Sequence, residues 1–107
     1  MIHRYAIPFP VAPGKTDADA GSIPVYLRAN MDQYRESRKR LGTTVERVYL
    51  QATPMGSIVI AYVESERNFA EWAQVLITSD LEIDRKFIDM VAEVHGVDVR
   101  QDRKSVV

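Results

Sequence analysis

Four side chains between residues 47 and 62 have types that could do chemistry together. Arg47, Tyr49 and Gln51 alternate along one run, TTVERVYLQAT, and Tyr62 follows in a second, SIVIAYVE. Alternation at a period of two places residues on one face of a strand. The tyrosine hydroxyls can orient a small carbonyl or phenol, and the planar fork of Arg47 can hold a carboxylate. The opposing reading is that these residues fill a protein interface, where Tyr and Arg are enriched, and the weight lies slightly on that side. His95 is the other candidate, one of two histidines, because imidazole is the usual proton carrier near neutral pH. Its place just before Gly96 fits a helix C-terminus, where a cation complements the helix dipole, better than it fits a site. His95 with Asp98 falls short of a metal centre, since zinc or iron needs three or four ligands.

The elements that must carry these residues follow from pattern. The two β-rich runs meet at Thr53, Pro54, Met55 and Gly56, a four-residue turn that pairs Leu50 with Val59, Val48 with Ala61, Tyr49 with Ile60 and Gln51 with Ile58. One face of the hairpin is then aliphatic (Val48, Leu50, Ala52, Val59, Ala61, Val63), suited to helices. The other holds Arg47, Tyr49, Gln51, Ile58, Ile60 and Tyr62, too apolar for water and yet partly polar. A strand buried on both faces needs two covers, so the second face is expected to meet a twin copy. Polar groups there need partners, water or a ligand, which favours a wet pocket lined by Tyr49, Tyr62, Arg47, Gln51 and Ile60. His3, Tyr5, Ile7 and Phe9 alternate along a first strand, residues 2–9, and are expected to continue this surface, with Ala6 turned under the helices.

Thr16 with Asp19 is a capping pattern, and Ile23, Leu27, Met31, Tyr34 and Leu41 recur at near-helical intervals up to Gly42, predicting a first helix with Pro24 at a kink or first turn. Asn68 with Glu71, and Ser79 with Glu82, open two pieces of a second helix broken near Ser79. Phe69, Trp72 and Leu76 read as core, and Ile83, Phe87, Val91 and Val94 as a stripe closed by Gly96. Asp84 reads as a helix-start charge, and Arg35, Arg38, Lys39 and Arg40 as a solvated face with helix-dipole complementarity rather than a nucleic-acid patch. VDVRQ, residues 97–101, alternates as a short edge strand does. The order predicts an α+β, ferredoxin-like βαββαβ domain: a four-stranded antiparallel sheet with helices on one face. It spans 1–107 as a single domain, with an ordered core over 2–100 and a loose tail over 101–107.

With 107 residues and 46% of them hydrophobic, the chain can bury a sizeable core, about 65% of its unfolded surface. Fourteen basic and fifteen acidic residues leave a formal charge of -1, which gives nucleic acid or an anionic membrane no long-range attraction. The absence of cysteine removes disulfides, thiolate nucleophiles and thiolate metal sites and agrees with a reducing interior. The proline-rich start MIHRYAIPFPVAPGK reads as neither signal peptide nor anchor, so the expectation is a cytoplasmic protein. No phosphate loop, G-x-S-x-G elbow, H-E-x-x-H or Rossmann fingerprint occurs, and no cofactor is expected.

The PGK after strand one, the helix ending YRESRKRLG, the hairpin ERVYLQATPMGSIVIAYVE and the closing AEVHGVD make the chain resemble the dimeric α+β barrel superfamily over residues 2 to about 100. Within it the chain is most similar to small bacterial proteins of unassigned function, and more distantly to antibiotic-biosynthesis-type monooxygenases. The resemblance implies a homodimer with a pocket for a small organic molecule and cofactor-independent oxygenation or isomerisation. No catalytic motif of those relatives matches residue by residue. The candidate catalytic groups are therefore His95, Tyr49 and Tyr62, with His3, Tyr5, Arg47, Gln51 and Ile60 binding. A non-catalytic module, whose sheet face is only a dimer seam, is the alternative.

Overall fold

The computed structural model describes residues 1–99. They form β1 (His3–Pro10), α1 (Asp17–Ala29), α2 (Met31–Arg40), β2 (Thr43–Thr53), β3 (Gly56–Ser65), α3 (Phe69–Ile77) and α4 (Glu82–His95). The sheet is antiparallel with order β1-β3-β2. The hairpin pairs as the turn chemistry predicts: Leu50 faces Val59, Val48 faces Ala61, Tyr49 faces Ile60 and Gln51 faces Ile58. Gly56 takes φ 121°, a conformation that strains any side chain, and the Thr53 hydroxyl donates to its carbonyl at 2.5 Å. β1 runs through Pro8 and Pro10 instead of ending at them. It is an edge strand, and both prolines share the parity whose N–H groups point away from β3, so no ladder bond is lost.

Four differences from the sequence expectation matter, the last of them the facing of β1. The first helix is two. Asn30, at φ -122° and ψ 50°, leaves the helical region, and its side-chain amide donates to the Tyr26 carbonyl at 2.9 Å, satisfying a carbonyl that a continuing helix would have bonded. Thr16 opens α1 with a complete capping box, so Pro24 lies inside α1 and not at its start. The second difference is α4, which begins at Glu82 without a side-chain cap, because the Ser79 hydroxyl turns to Asp84 and accepts from the Leu81 N–H instead. Its C-terminus is the predicted one, with Gly96 at φ 67°. Third, residues 97–99 join no strand, and the rest of VDVRQ lies outside the described residues.

The helices pack on one face of the sheet. Ala20, Ile23, Leu27, Val59, Ile83, Val91 and Val94 form one buried cluster, and Leu41, Val63, Trp72, Ala73, Leu76 and Ile88 a second, with Phe87 against both. α3 starts from the full Asn68–Glu71 capping box and buries Trp72, whose indole N–H donates to the Thr43 hydroxyl at 3.0 Å. The first strand is turned the other way from the expectation. Tyr5, Ile7 and Phe9 pair with Val63, Ala61 and Val59 and pack against the helical clusters, while Ala6, Pro8 and Pro10 lie on the open face. Large rings fill the space under α3 and α4 that an alanine could not, and that decides the parity. β2 is the poorly covered strand: Val48, Tyr49 and Leu50 are 48%, 51% and 50% exposed, on both of its faces. α1 and α2 cover it only in part, through Tyr34 and Arg38 at Glu46, and a groove remains between them and the strand. Among the described residues no helix is long and apolar enough to cross a membrane.

Candidate functional site

The groove has a volume of about 290 Å³ and is lined by Pro24, Leu27, Arg28, Met31, Tyr34, Glu46 and Val48. Deeper under the helices lie two narrower, almost wholly apolar cavities of about 60 and 70 Å³ that share Phe9, Ala61, Phe87 and Val91 in their walls. Glu46 lines all three. A carboxylate on the helical face of a strand has to be paired to be tolerated there.

The partners come from α2. Tyr34 and Arg38 stand one turn apart, so both reach β2. Arg38 grips Glu46 with two parallel bonds, Nε to Oε1 and Nη2 to Oε2, each 3.0 Å, and the Tyr34 hydroxyl donates to Oε1. The Arg38 guanidinium sits 4.5 Å from the centre of the Tyr34 ring and 5.8 Å from that of Phe87. Its third edge continues the chain: Nη1 donates to the Ser37 hydroxyl at 2.7 Å, Ser37 donates to Asp84 Oδ1 at 2.5 Å, and Ser79 donates to Asp84 Oδ2 at 2.6 Å. Ser37, Arg38 and Asp84 are all buried. Asp84 is thus the far end of a buried network and not a helix-start charge on the surface. Arg38 likewise leaves the solvated face to which its spacing assigned it, whereas Arg35, Lys39 and Arg40 remain exposed. Burial works against the Arg38 charge, but Glu46, Tyr34 and Asp84 more than offset this and hold it protonated.

Burial, and then the Glu46 carboxylate, push the Tyr34 hydroxyl from its ordinary value near 10 up to about 12. Tyr34 is therefore a donor throughout the neutral range. A group whose folded value is raised lends stability that is whole below its unfolded value and fades as pH climbs to the folded one. Thermal melting temperature is therefore expected to fall between pH 10 and 12, and Tyr34→Phe to flatten that fall; an unchanged slope would count against the Tyr34–Glu46 bond.

The expected site residues are not brought together. Arg47, Tyr49, Gln51, Ile60 and Tyr62 share the open face as predicted from the hairpin. There the Tyr62 hydroxyl donates to Glu64 Oε2 at 2.6 Å, which raises its pKa, and Arg4 lies 3.9 Å from the same oxygen. Arg47 and Tyr49 are exposed, and the Gln51 amide donates to the Ala52 carbonyl. His3 and Tyr5 belong to the other face. Tyr5 packs edge-on against Phe69 and Trp72 at 5.3 and 5.9 Å, and burial raises its hydroxyl pKa. His95 is also on the helical side, buried, 2.9 Å from the Pro10 carbonyl through Nδ1 and 5.4 Å from the Phe9 ring centre. A carbonyl can only accept, so Nδ1 carries the proton, and Nε2 is the nitrogen left with a lone pair in the neutral ring. His95 ties the end of α4 to the end of β1 and lines the 60 Å³ cavity together with Glu46. Among the described residues no group of three or more His, Asp or Glu side chains is placed to hold a metal ion.

The signal for the missed residues was present. Glu46 has the same strand parity as Val48 and Leu50, and Arg38 falls between Tyr34 and Leu41 at helical spacing, so each is a charge on an apolar face. No protein-family model, curated protein or solved structure matches the chain.

Proposed function

We propose that this chain is a small homodimeric protein that binds a small, largely apolar organic molecule in the groove between α1–α2 and β2. The observation that carries the reading is the position of Glu46: a paired carboxylate in the wall of the groove and of both inner cavities, whose linings are otherwise mostly apolar. Concave apolar space with one fixed polar group is how small-molecule sites are built, and the groove stands at the lower end of the usual range of about 300–1,000 Å³. Glu46 Oε1 is already filled by Tyr34 and Arg38 Nε, and Oε2 by Arg38 Nη2 alone, which leaves one acceptor position for a ligand. That arrangement orients a ligand more readily than it removes a proton from one. For cofactor-independent isomerisation or oxygenation the base we assign is His95, which lines not the groove but the 60 Å³ cavity that shares Pro24, Leu27, Glu46 and Val48 with it, so the reacting end of the ligand would have to reach that cavity.

The finer architecture belongs to the same proposal: the open face of the sheet, with Tyr49, Ile60 and Tyr62, packs on a second copy in the manner of a ferredoxin-like α+β barrel. Support for the twin comes from Tyr49, half exposed on that face, and from the bare edge of β2, where Val48 and Leu50 are half exposed on the other side of the same strand, since a β-branched and aromatic edge left bare invites association. The same exposure favours the assembly-module reading, in which that face is only a seam.

Saturation-transfer NMR with p-cresol tests the groove. The wild type is expected to bind it, and Val48→Trp, which fills the groove from an exposed position, to weaken binding about tenfold or more. No binding by the wild type would sink the groove as a ligand site. Sedimentation tests the twin: Ile60→Arg is expected to give monomers that still bind p-cresol, and a folded wild-type monomer at micromolar concentration would remove the dimer.

A further inference from the structure

We infer that the groove is built for an organic acid that also carries a hydroxyl, the carboxylate held by Arg28 and the hydroxyl donating to Glu46. The inference rests on the groove being a ligand site. Arg28, in the last turn of α1, lines it together with Glu46. Arg38, Arg40 and Arg4 each stand within 4 Å of a carboxylate; Arg28 has no carboxylate or other polar partner among the described residues, not even Asp32 one turn along the same chain direction. A guanidinium with five free donors at the rim of an apolar groove matches a planar carboxylate through two parallel bonds. The walls between are Pro24, Leu27, Met31 and Val48, which ask for a hydrocarbon body.

The second polar group is argued from Glu46. Its charge is already matched by Arg38 through two bonds, and its open position on Oε2 accepts one more hydrogen. A neutral hydroxyl fills that position at little desolvation cost. An ammonium would have to shed its water for a carboxylate whose charge is spoken for, and would gain less than it lost. The ligand is therefore anionic at one end and a neutral donor at the other.

Isothermal titration with three probes separates the parts: 4-hydroxyphenylacetate, p-cresol without the carboxylate, and 4-methylphenylacetate without the hydroxyl. The hydroxy acid is expected to bind about tenfold more tightly than either relative, the worth of one hydrogen bond to a charged group. Arg28→Gln should remove the advantage of the hydroxy acid over p-cresol measured on the same variant, and Arg28→Lys should restore part of it. Arg28 is exposed, so these variants fold. Equal affinity for the hydroxy acid and p-cresol, or an Arg28→Gln protein that binds the hydroxy acid as well as the wild type, overturns the inference and leaves the groove standing. Failure of p-cresol to bind the wild type removes the groove, and the inference with it.

Discussion

Replacing Arg38 by alanine is expected to cost about 3–5 kcal/mol of folding stability, measured by urea denaturation. The guanidinium is buried and serves two carboxylates, Glu46 at 3.0 Å and Asp84 at 3.7 Å. Its removal leaves Glu46 with Tyr34 alone and deprives Ser37 of the donor that orients it towards Asp84. Two charges would then sit under the helices without a counter-charge, and taking an ion out of water without one is far more costly than losing a surface contact. Arg40 offers the control. It makes two ion pairs, with Glu36 and Asp80, yet it lies in solvent, and Arg40→Ala should be indistinguishable from wild type. Adding Glu46→Gln and Asp84→Asn to Arg38→Ala should recover much of the loss, because the orphaned charges go with the cation. A loss for Arg38→Ala as small as that for Arg40→Ala would mean that water reaches the network and that Glu46 is not held for a ligand at all.

Trp72→Ala is expected to be about as damaging, about 3–5 kcal/mol. The indole is 6% exposed, packs with Phe69 and Tyr5 at 6.2 and 5.9 Å, and walls the inner cavity of about 70 Å³, so its loss would enlarge an existing void. Trp72→Phe separates the ring from the N–H. It keeps most of the hydrophobic burial but leaves the Thr43 hydroxyl without its donor, and should cost about 1–2 kcal/mol, read from the same denaturation curves. If the phenylalanine variant were as unstable as the alanine one, the indole's full size, and not the bond to β2, would be what anchors α3.

The hairpin, the capping boxes at Thr16 and Asn68, the break before α4 and the stop at Gly96 were all legible in the amino-acid sequence. Each depends on neighbours within a few residues: a turn sets its own register, and a cap satisfies N–H groups three positions away. Sequence also grouped Arg47, Tyr49, Gln51, Ile60 and Tyr62 on one face, since strand parity inside a hairpin is local. The facing of β1 was not local. Its parity depends on which side offers room for Tyr5, Ile7 and Phe9, and that volume exists only once α3 and α4 are docked. The break at Asn30 was hidden for a related reason, because a residue that tolerates a helix leaves it when its side chain finds a better partner in the Tyr26 carbonyl.

The candidate site was settled last and by tertiary structure alone. Tyr34 and Arg38 on α2, Glu46 on β2 and Asp84 on α4 come from three elements, and up to 50 positions separate them along the chain; no spacing rule joins them. The sequence determined that Glu46 and Arg38 each stand among apolar neighbours on their own element, and so that each must be paired or exposed. Only packing α2 and α4 against the sheet decided that they pair with one another, because the free energy of burying a charge depends on the counter-charge the fold brings to it.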